Sequence, residues 1–141
     1  MIDDDTRTRL AALGGFDATP GSLAGVVVVD VTRVVAGPYC SMILADLGAT
    51  VIKVEHPDDP DYTRTFPPMI DGDGEEQAAM SGFFAQYNRN KLGVTANLRH
   101  PEGVALLERL VAGADVLVEN FRPGTMDRLG LGPEHLRTIN P

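Results

Sequence analysis

Residues 26–54, VVVVDVTRVVAGPYCSMILADLGATVIKV, decide the fold of this chain. The first six residues of the stretch are almost all β-branched, which is typical of a strand buried on both faces of a parallel sheet. Ala36-Gly37 then turns the chain, Pro38 suits the start of a helix, and Gly48 ends that helix. A second strand follows at 50–54. A short helical crossover between two such strands predicts a right-handed, parallel βαβ unit.

The alternation of strands and helices continues through the rest of the chain. Residues 55–79 are rich in Pro, Gly and Asp, which predicts a long surface excursion. Residues 93–98 and 115–120 predict a third and a fourth strand, with a helix that begins at Pro101 between them. We therefore expect an α/β fold with a Rossmann-like, mostly parallel sheet and flanking helices.

The two ends of the chain are expected to differ from its middle. Residues 1–22 mix acids, Thr and Gly around a short apolar patch, which predicts a poorly ordered lead-in. Residues 23–141 then form the folded unit. Because a strand is the next element due in the alternation after Pro141, we expect the sheet to be incomplete at its C-terminus.

The composition argues against several classes of protein. Lys and Arg total 12 against 20 Asp and Glu, and the formal net charge of -8 argues against a nucleic-acid binder or a protein of anionic membrane surfaces. The single cysteine, Cys40, cannot form an internal disulfide, so the cytoplasm is the expected location. The apolar run at 23–29 is too short to cross a bilayer.

Histidines and acids in the sequence do not have the spacing of metal ligands. His56, His100 and His135 are scattered along the chain. The acids of residues 58–76 lack the full pattern of a calcium loop and are expected to form a solvated loop. We therefore predict no metal site.

Polar and turn-forming residues follow each predicted strand. Ligands in open α/β sheets bind at the carboxyl ends of the strands, which makes these junctions the candidate site. The junctions are Arg33 to Pro38, Glu55-His56, Arg99-His100 and Asn120 to Pro123. Phe121, beside an amide and an arginine, is equally compatible with a purine and phosphate site and with a hydrophobic plug. Ala36-Gly37-Pro38, taken alone, is better explained as a tight turn than as a phosphate site.

Three other features have ordinary structural explanations. Glu55 is expected to be solvated or ion-paired rather than a ribose-binding acid, because the sequence has no G-x-G-x-x-G. Cys40 is expected to pack in the core rather than to act as a nucleophile. On charge alone, four cations are expected to lie on a solvated face: Arg89, Lys91, Arg99 and Arg128.

Five motifs taken together resemble the family III coenzyme A transferases, the CaiB/BaiF family. They are LAGVVVVD at 23–30, RVVAGP at 33–38, ADLGATVIKVE at 45–55, NRNK at 88–91 and ADVLVENFRPG at 114–124. Each motif is modest by itself, but five of them in this order and spacing are a specific signal. The likeness covers residues 23–141.

The resemblance implies a coenzyme A site built from six residues. The backbone of Val35 and Ala36 would contact the coenzyme, and Asn120 and Phe121 would line its nucleotide end. Arg99 and Arg128 would meet phosphates. One departure concerns His56, which stands where many members of the family have arginine.

The resemblance also implies an activity, the transfer of coenzyme A between carboxylic acids. Coenzyme A or acyl-CoA would be a substrate, with no permanently bound cofactor. The nucleophilic aspartate of the transferases would lie beyond Pro141, so no catalytic residue is expected in this chain. Full-length members form interlocked homodimers.

Three other interpretations remain at this point. In the first interpretation, the chain is a relative of the 2-methylacyl-CoA racemases, whose general acid-base His and Asp would likewise lie beyond the last residue. In the second, it is a non-catalytic module that binds coenzyme A or another protein. A nicotinamide oxidoreductase domain is disfavoured by the single glycine of the first turn.

Overall fold

The computed structural model describes residues 21–70 and 79–141. Most of the predicted lead-in, residues 1–20, lies outside the described residues. The strands are β1 (Val27–Asp30), β2 (Thr50–Glu55), β3 (Met69–Ile70), β4 (Met80–Ser81), β5 (Lys91–Thr95) and β6 (Val116–Val118). The helices are α1 (Ala36–Asp46), α2 (Gly82–Asn88), α3 (Pro101–Val111), α4 (Thr125–Arg128) and α5 (Pro133–Ile139), with a 3-10 helix at Tyr62–Thr65.

Four strands form one parallel sheet in the order β5-β2-β1-β6. The central strand β1 pairs with β2 in the register Val28 to Val51 and with β6 in the register Val28 to Val116. Every residue of β1 is buried, as its β-branched run predicts. The parallel βαβ unit β1-α1-β2 and the α/β class are therefore confirmed. Strands β3 and β4 form a separate antiparallel pair.

Helices cover both faces of the sheet. On one face, Ala45 of α1 packs with Val28 and Val51. On the other face, the larger cluster includes Val29 and Leu107, together with residues of α4 and α5. The alternate side chains of β1 thus point into two separate apolar layers.

The boundaries of three elements differ from the predicted ones. Helix α1 begins at Ala36, two residues before Pro38. The third strand of the sheet, β5, occupies 91–95 instead of 93–98, because Lys91 already pairs with Val51. Strand β6 is shorter than the predicted 115–120. At its start, the carboxylate of Asp115 accepts a hydrogen bond from the Val27 amide at 2.9 Å.

The predicted surface excursion at 55–79 is wrong for its middle part. Asp61 and Thr63 are only 1% and 0% exposed. They are buried because Asp61 accepts hydrogen bonds from the backbone of the β1–α1 loop and from Thr63. Residues 71–78 lie outside the described residues.

The described helices are short. The longest of them, α1 and α3, have 11 residues each. Within residues 21–70 and 79–141, no helix has the length and apolar character needed to cross a membrane.

Candidate functional site

A cleft of about 570 Å³ opens at the carboxyl ends of the parallel strands. Its apolar lining consists of Val31, Val54, Ala96, Leu98, Phe121 and Leu129. Its polar and charged lining includes Arg33, Glu55, His56, Asp59, Asp61, Arg99 and Arg122. An apolar wall with convergent polar groups at this edge of an α/β sheet is the usual form of a ligand site.

A second depression of about 600 Å³ lies along the edge strand β6. It is lined by residues 111–117 and by α5 and the residues after it, including Asn140. Neither Arg99 nor Phe121 lines it. We regard the strand-end cleft as the candidate site, because aromatic and cationic side chains from three loops converge there.

The lining of the cleft contains three arginines and three carboxylates, and Arg33 is paired with one of these carboxylates. The two terminal nitrogens of Arg33 each donate to a carboxylate oxygen of Asp59 at 3.1 Å. One of them also donates to the carbonyl of Pro60. The hydrogen bonds and the charge of Arg33 hold the pKa of Asp59 below its usual value. Arg99 and Arg122 line the same cleft.

Three residues predicted as coenzyme A contacts lie at the cleft. Arg99 and Phe121 line it directly. Asn120 lies next to Phe121, and its side chain both accepts a hydrogen bond from the backbone of Arg33 and donates one to it. The Arg33 amide donates to Asn120 Oδ1 at 3.1 Å, and Asn120 Nδ2 donates to the Arg33 carbonyl at 2.8 Å. Asn120 therefore holds the β1–α1 loop in place beside the cleft.

The other three predicted residues do not line the cleft. Val35 and Ala36 are exposed at the start of α1. Arg128 is exposed on α4, where its guanidinium donates to Thr125 Oγ1 at 2.9 Å. Thr125 itself lines the cleft. Arg128 therefore lies beside two residues that line the cleft, Thr125 and Leu129, without lining it itself.

The β1–α1 loop has two constrained positions. Val34 has a φ of 76°, in the left-handed region that a β-branched residue rarely adopts, at a cost of about 1–3 kcal/mol. Its amide donates to Asp61 Oδ2 at 2.9 Å. At Gly37, an added Cβ would lie 2.3 Å from the Cβ of Thr32, so only glycine allows this approach of α1 to the loop.

A buried ion pair lies under the start of α1. Lys91 Nζ is 3.0 Å from Asp30 Oδ2, and the two side chains are 2% and 0% exposed. Lys91 also donates to the carbonyl of Pro38 at 2.9 Å and to Asn88 Oδ1 at 2.9 Å. The prediction that Lys91 lies on a solvated face is therefore wrong. The burial of Lys91 depends on its pairing with Asp30, and patterns in a single sequence do not show such tertiary pairs.

The carboxylate of Asp30 accepts four hydrogen bonds. Besides Lys91, its donors are the Thr32 amide and hydroxyl, at 2.8 and 2.5 Å, and the Ser41 hydroxyl at 2.6 Å. Burial by itself would raise the pKa of Asp30. The charges of Lys91 and Lys53 and the two hydroxyls outweigh burial and hold the pKa below its usual value.

Lys53 and Asp61 form a second buried pair. Their side chains are 3% and 0% exposed, and Lys53 Nζ is 3.7 Å from Asp61 Oδ2. Lys53 also donates to the Thr32 carbonyl at 2.9 Å. Neither pair was predicted from the sequence. The available signal was an Asp or a Lys within a β-branched strand, because charges are almost never fully buried without a partner.

Two further predictions are decided by exposure and pairing. Glu55 is ion-paired as predicted, because Arg64 donates to it at 3.0 and 2.6 Å. Cys40 is exposed on α1, so its predicted place in the core is wrong. The reason is its position on the outward face of α1, whereas Ser41 and Met42 of the same turn are buried. The described part of the chain contains no cluster of three or more His, Cys, Asp or Glu that could hold a metal.

Comparison with known proteins agrees with the resemblance seen in the motifs. An acyl-CoA transferase of Fusarium pseudograminearum is 44% identical over 135 residues, covering 93% of this chain and 29% of the relative. A succinate–glutarate CoA-transferase of Agrobacterium fabrum is 45% identical over 121 residues, covering 84% of this chain and 30% of the relative.

Solved structures give the same result. A CaiB/BaiF family protein from Brucella suis superposes with a TM-score of 0.80 at 45% identity, covering 87% of this chain and 32% of that one. A hypothetical protein from Mycobacterium tuberculosis gives a TM-score of 0.75 at 40% identity, covering 88% and 32%. The chain thus spans about a third of the length of these relatives.

The profile of one family matches most of the chain, from residue 23 to residue 141. That range includes all four parallel strands and the whole strand-end cleft. With the similar relatives and the shared fold, the match shows that this chain belongs to CoA-transferase family III.

Proposed function

We propose that residues 23–141 form the N-terminal part of a large coenzyme A-binding domain, and that the strand-end cleft receives the nucleotide end of coenzyme A. The observation that carries this proposal is the convergence of Phe121 with three arginines in one cleft of a family III chain. An aromatic ring suits the adenine, and guanidinium groups suit its phosphates.

The six predicted contacts take separate roles in this proposal. Phe121, held beside Asn120, packs against the base. Arg99 meets a phosphate from within the cleft, and Arg128 reaches one after it leaves Thr125. The backbone of Val35 and Ala36 contacts the coenzyme from the start of α1. The first N–H groups of a helix have no acceptor within the helix, which supports this role.

The reaction that we propose for the whole protein is coenzyme A transfer between an acyl-CoA and a carboxylic acid. Coenzyme A is then a substrate rather than a resident cofactor. The relatives named above are transferases, which favours transfer over racemisation. For these 141 residues we propose the binding of coenzyme A as their part in that reaction.

Partners and location follow the same proposal. A homodimer and a cytoplasmic location are proposed from the family resemblance and the single cysteine. The net charge of -8 supports the absence of nucleic-acid binding.

Calorimetric titration of the 141-residue chain tests the proposal. We expect coenzyme A to bind more tightly than 3′-dephospho-coenzyme A, and NAD to bind weakly if at all. Arg99→Met should weaken coenzyme A binding, whereas Arg109→Met, at an exposed arginine of α3 outside the cleft, should not. Binding of NAD without binding of coenzyme A would contradict the proposal.

A further inference from the structure

The conformation of the β1–α1 loop depends on a residue 27 positions later in the chain. Val34 lies in the left-handed region, with a φ of 76°. A valine reaches this region only when its surroundings impose it. The Val34 amide donates at 2.9 Å to Asp61 Oδ2, which is the contact that fixes the peptide orientation.

Asp61 is itself held firmly. Its side chain is 0% exposed, and its other oxygen, Oδ1, accepts from the Thr63 amide at 3.1 Å and the Thr63 hydroxyl at 2.8 Å. Its own amide donates to Glu55 Oε1 at 3.0 Å. The carboxylate therefore has a fixed direction, and the loop adapts to it.

Lys53 binds the same loop from the other side. Its ammonium group lies 3.7 Å from Asp61 Oδ2 and donates at 2.9 Å to the carbonyl of Thr32. Lys53 and Asp61 thus hold the peptide groups on both sides of Arg33. The charge of Lys53 also makes the burial of Asp61 possible.

Val35 and Ala36 follow Val34 directly and are exposed. Side-chain packing therefore does little to orient their backbone. Two contacts of the backbone set the direction in which their amides point. The Val35 carbonyl accepts from the Tyr39 amide of α1 at 2.7 Å, and the peptide before Val35 is positioned by Val34 and hence by Asp61. A small change at Asp61 would redirect the amides without removing any group from the cleft.

We propose that Asp61, supported by Lys53, is a positioning residue that holds Val34 in its left-handed conformation so that the backbone of Val35 and Ala36 faces the ligand. This inference rests on the proposed coenzyme A site. Asp61 lines the cleft, but its side chain is 0% exposed, so in this role it acts through the loop rather than by contact with the ligand.

The variant Asp61→Asn tests the inference in the 141-residue chain. Asparagine replaces one acceptor by a donor, so either the Val34 amide or the Thr63 amide then faces an N–H group. We expect the Kd for coenzyme A to rise about tenfold. Glycine adopts a positive φ freely, so in a Val34→Gly background the same Asp61→Asn change should cost less than about threefold.

A structural role without positioning predicts different results. Leu136→Ala opens the core under α5, away from the loop, and should lower the Tm with an unchanged Kd at temperatures where the chain is folded. If Asp61→Asn behaves like Leu136→Ala, or raises the Kd by the same factor in the Val34→Gly background as in the wild-type background, the inference is overturned.

Hydrogen exchange separates failure of this inference from failure of the proposed function. If the wild-type chain does not bind coenzyme A, the proposed function fails. Exchange of the Val34 amide should still be faster in Asp61→Asn than in the wild type and in Leu136→Ala. Faster exchange of the Val34 amide supports the proposal that Asp61 positions the loop, and unchanged exchange overturns that proposal.

Discussion

Lys91 Nζ lies 3.0 Å from Asp30 Oδ2 in the interior of the sheet, and the same ammonium group donates to the carbonyl of Pro38 in α1. One lysine therefore links β5, β1 and the first turn of α1. An unpaired buried charge is far more costly than a paired one. The stability of the chain should depend on keeping both members of the pair.

Lys91→Met should lower the free energy of unfolding by about 3–5 kcal/mol, because it leaves the buried Asp30 carboxylate without the ammonium group that it contacts and with the charge of Lys53 alone. Adding Asp30→Asn should recover part of this loss, because the remaining charge is then removed as well. Urea unfolding measures both effects. Arg109→Met, which removes an exposed cation, is the control and should stay within about 0.5 kcal/mol of the wild type. A small effect of Lys91→Met would show that the pair contributes little.

Stability should fall in acid because two buried carboxylates have lowered pKa values. Burial alone would raise the pKa of Asp30 and of Glu55, but their cationic and hydrogen-bonding partners hold both below the usual values. The unfolded chain therefore takes up these protons first, so the stabilisation is complete above about pH 5 and is lost as the pH falls through the folded pKa values.

Urea unfolding at a series of pH values measures this dependence. The curve should decline between about pH 5 and pH 3, and Glu55→Gln should make the decline shallower. A stability that stays constant over this range would contradict the assignment. Glu55→Gln also removes a charge that faces Arg64. The stability of this variant at neutral pH is therefore compared with that of the wild type in a separate measurement.

Gly37→Ala should be strongly destabilising. The new Cβ would lie 2.3 and 2.4 Å from Cβ and Cγ2 of Thr32, so α1 or the loop must move. We expect a loss of about 1–3 kcal/mol or more in the free energy of unfolding. Gly93→Ala in β5 is the matched control, because an added Cβ there meets no atom within 4 Å. Equal stability of the two variants would contradict the packing argument.

Asp59→Asn should strengthen coenzyme A binding. Asp59 occupies the guanidinium of Arg33 inside the cleft, where it competes with an incoming phosphate. The pair is exposed to solvent, so the gain in affinity should not exceed about fivefold at low salt and should shrink at high salt. Asp58→Asn is the control, since Asp58 is exposed and does not line the cleft. Weaker binding by Asp59→Asn would show that Asp59 assists the ligand.

The sequence predicted the elements whose side chains follow a simple pattern. The valine run of β1 and the turn before α1 gave the βαβ unit, and the strand ends brought Arg99 and Phe121 to one edge of the sheet. The start of β5 and the burial of Asp61 could not be predicted. Lys91 at the start of β5 pairs with Asp30, and Asp61 pairs with Lys53, and hydrophobic periodicity carries no information about such ion pairs.

The cleft was predictable by position but not by contact. The double hydrogen bond between Asn120 and the Arg33 backbone joins residues 87 positions apart. Local sequence patterns correctly placed Asn120 after a strand. They could not show that the side-chain carboxamide of Asn120 is hydrogen-bonded to the backbone of the neighbouring loop.

This use of Asn120 determines where the loop still has N–H groups to offer. Its carboxamide acts towards Arg33 as a peptide group of a neighbouring strand would. Four consecutive amides, from residue 31 to residue 34, donate in turn to Val118 O at 3.0 Å, Asp30 Oδ1 at 2.8 Å, Asn120 Oδ1 at 3.1 Å and Asp61 Oδ2 at 2.9 Å. These four donors are therefore already used within the chain. At the proposed coenzyme A site, an anion would be left with the amides from Val35 onward as its donors in this loop.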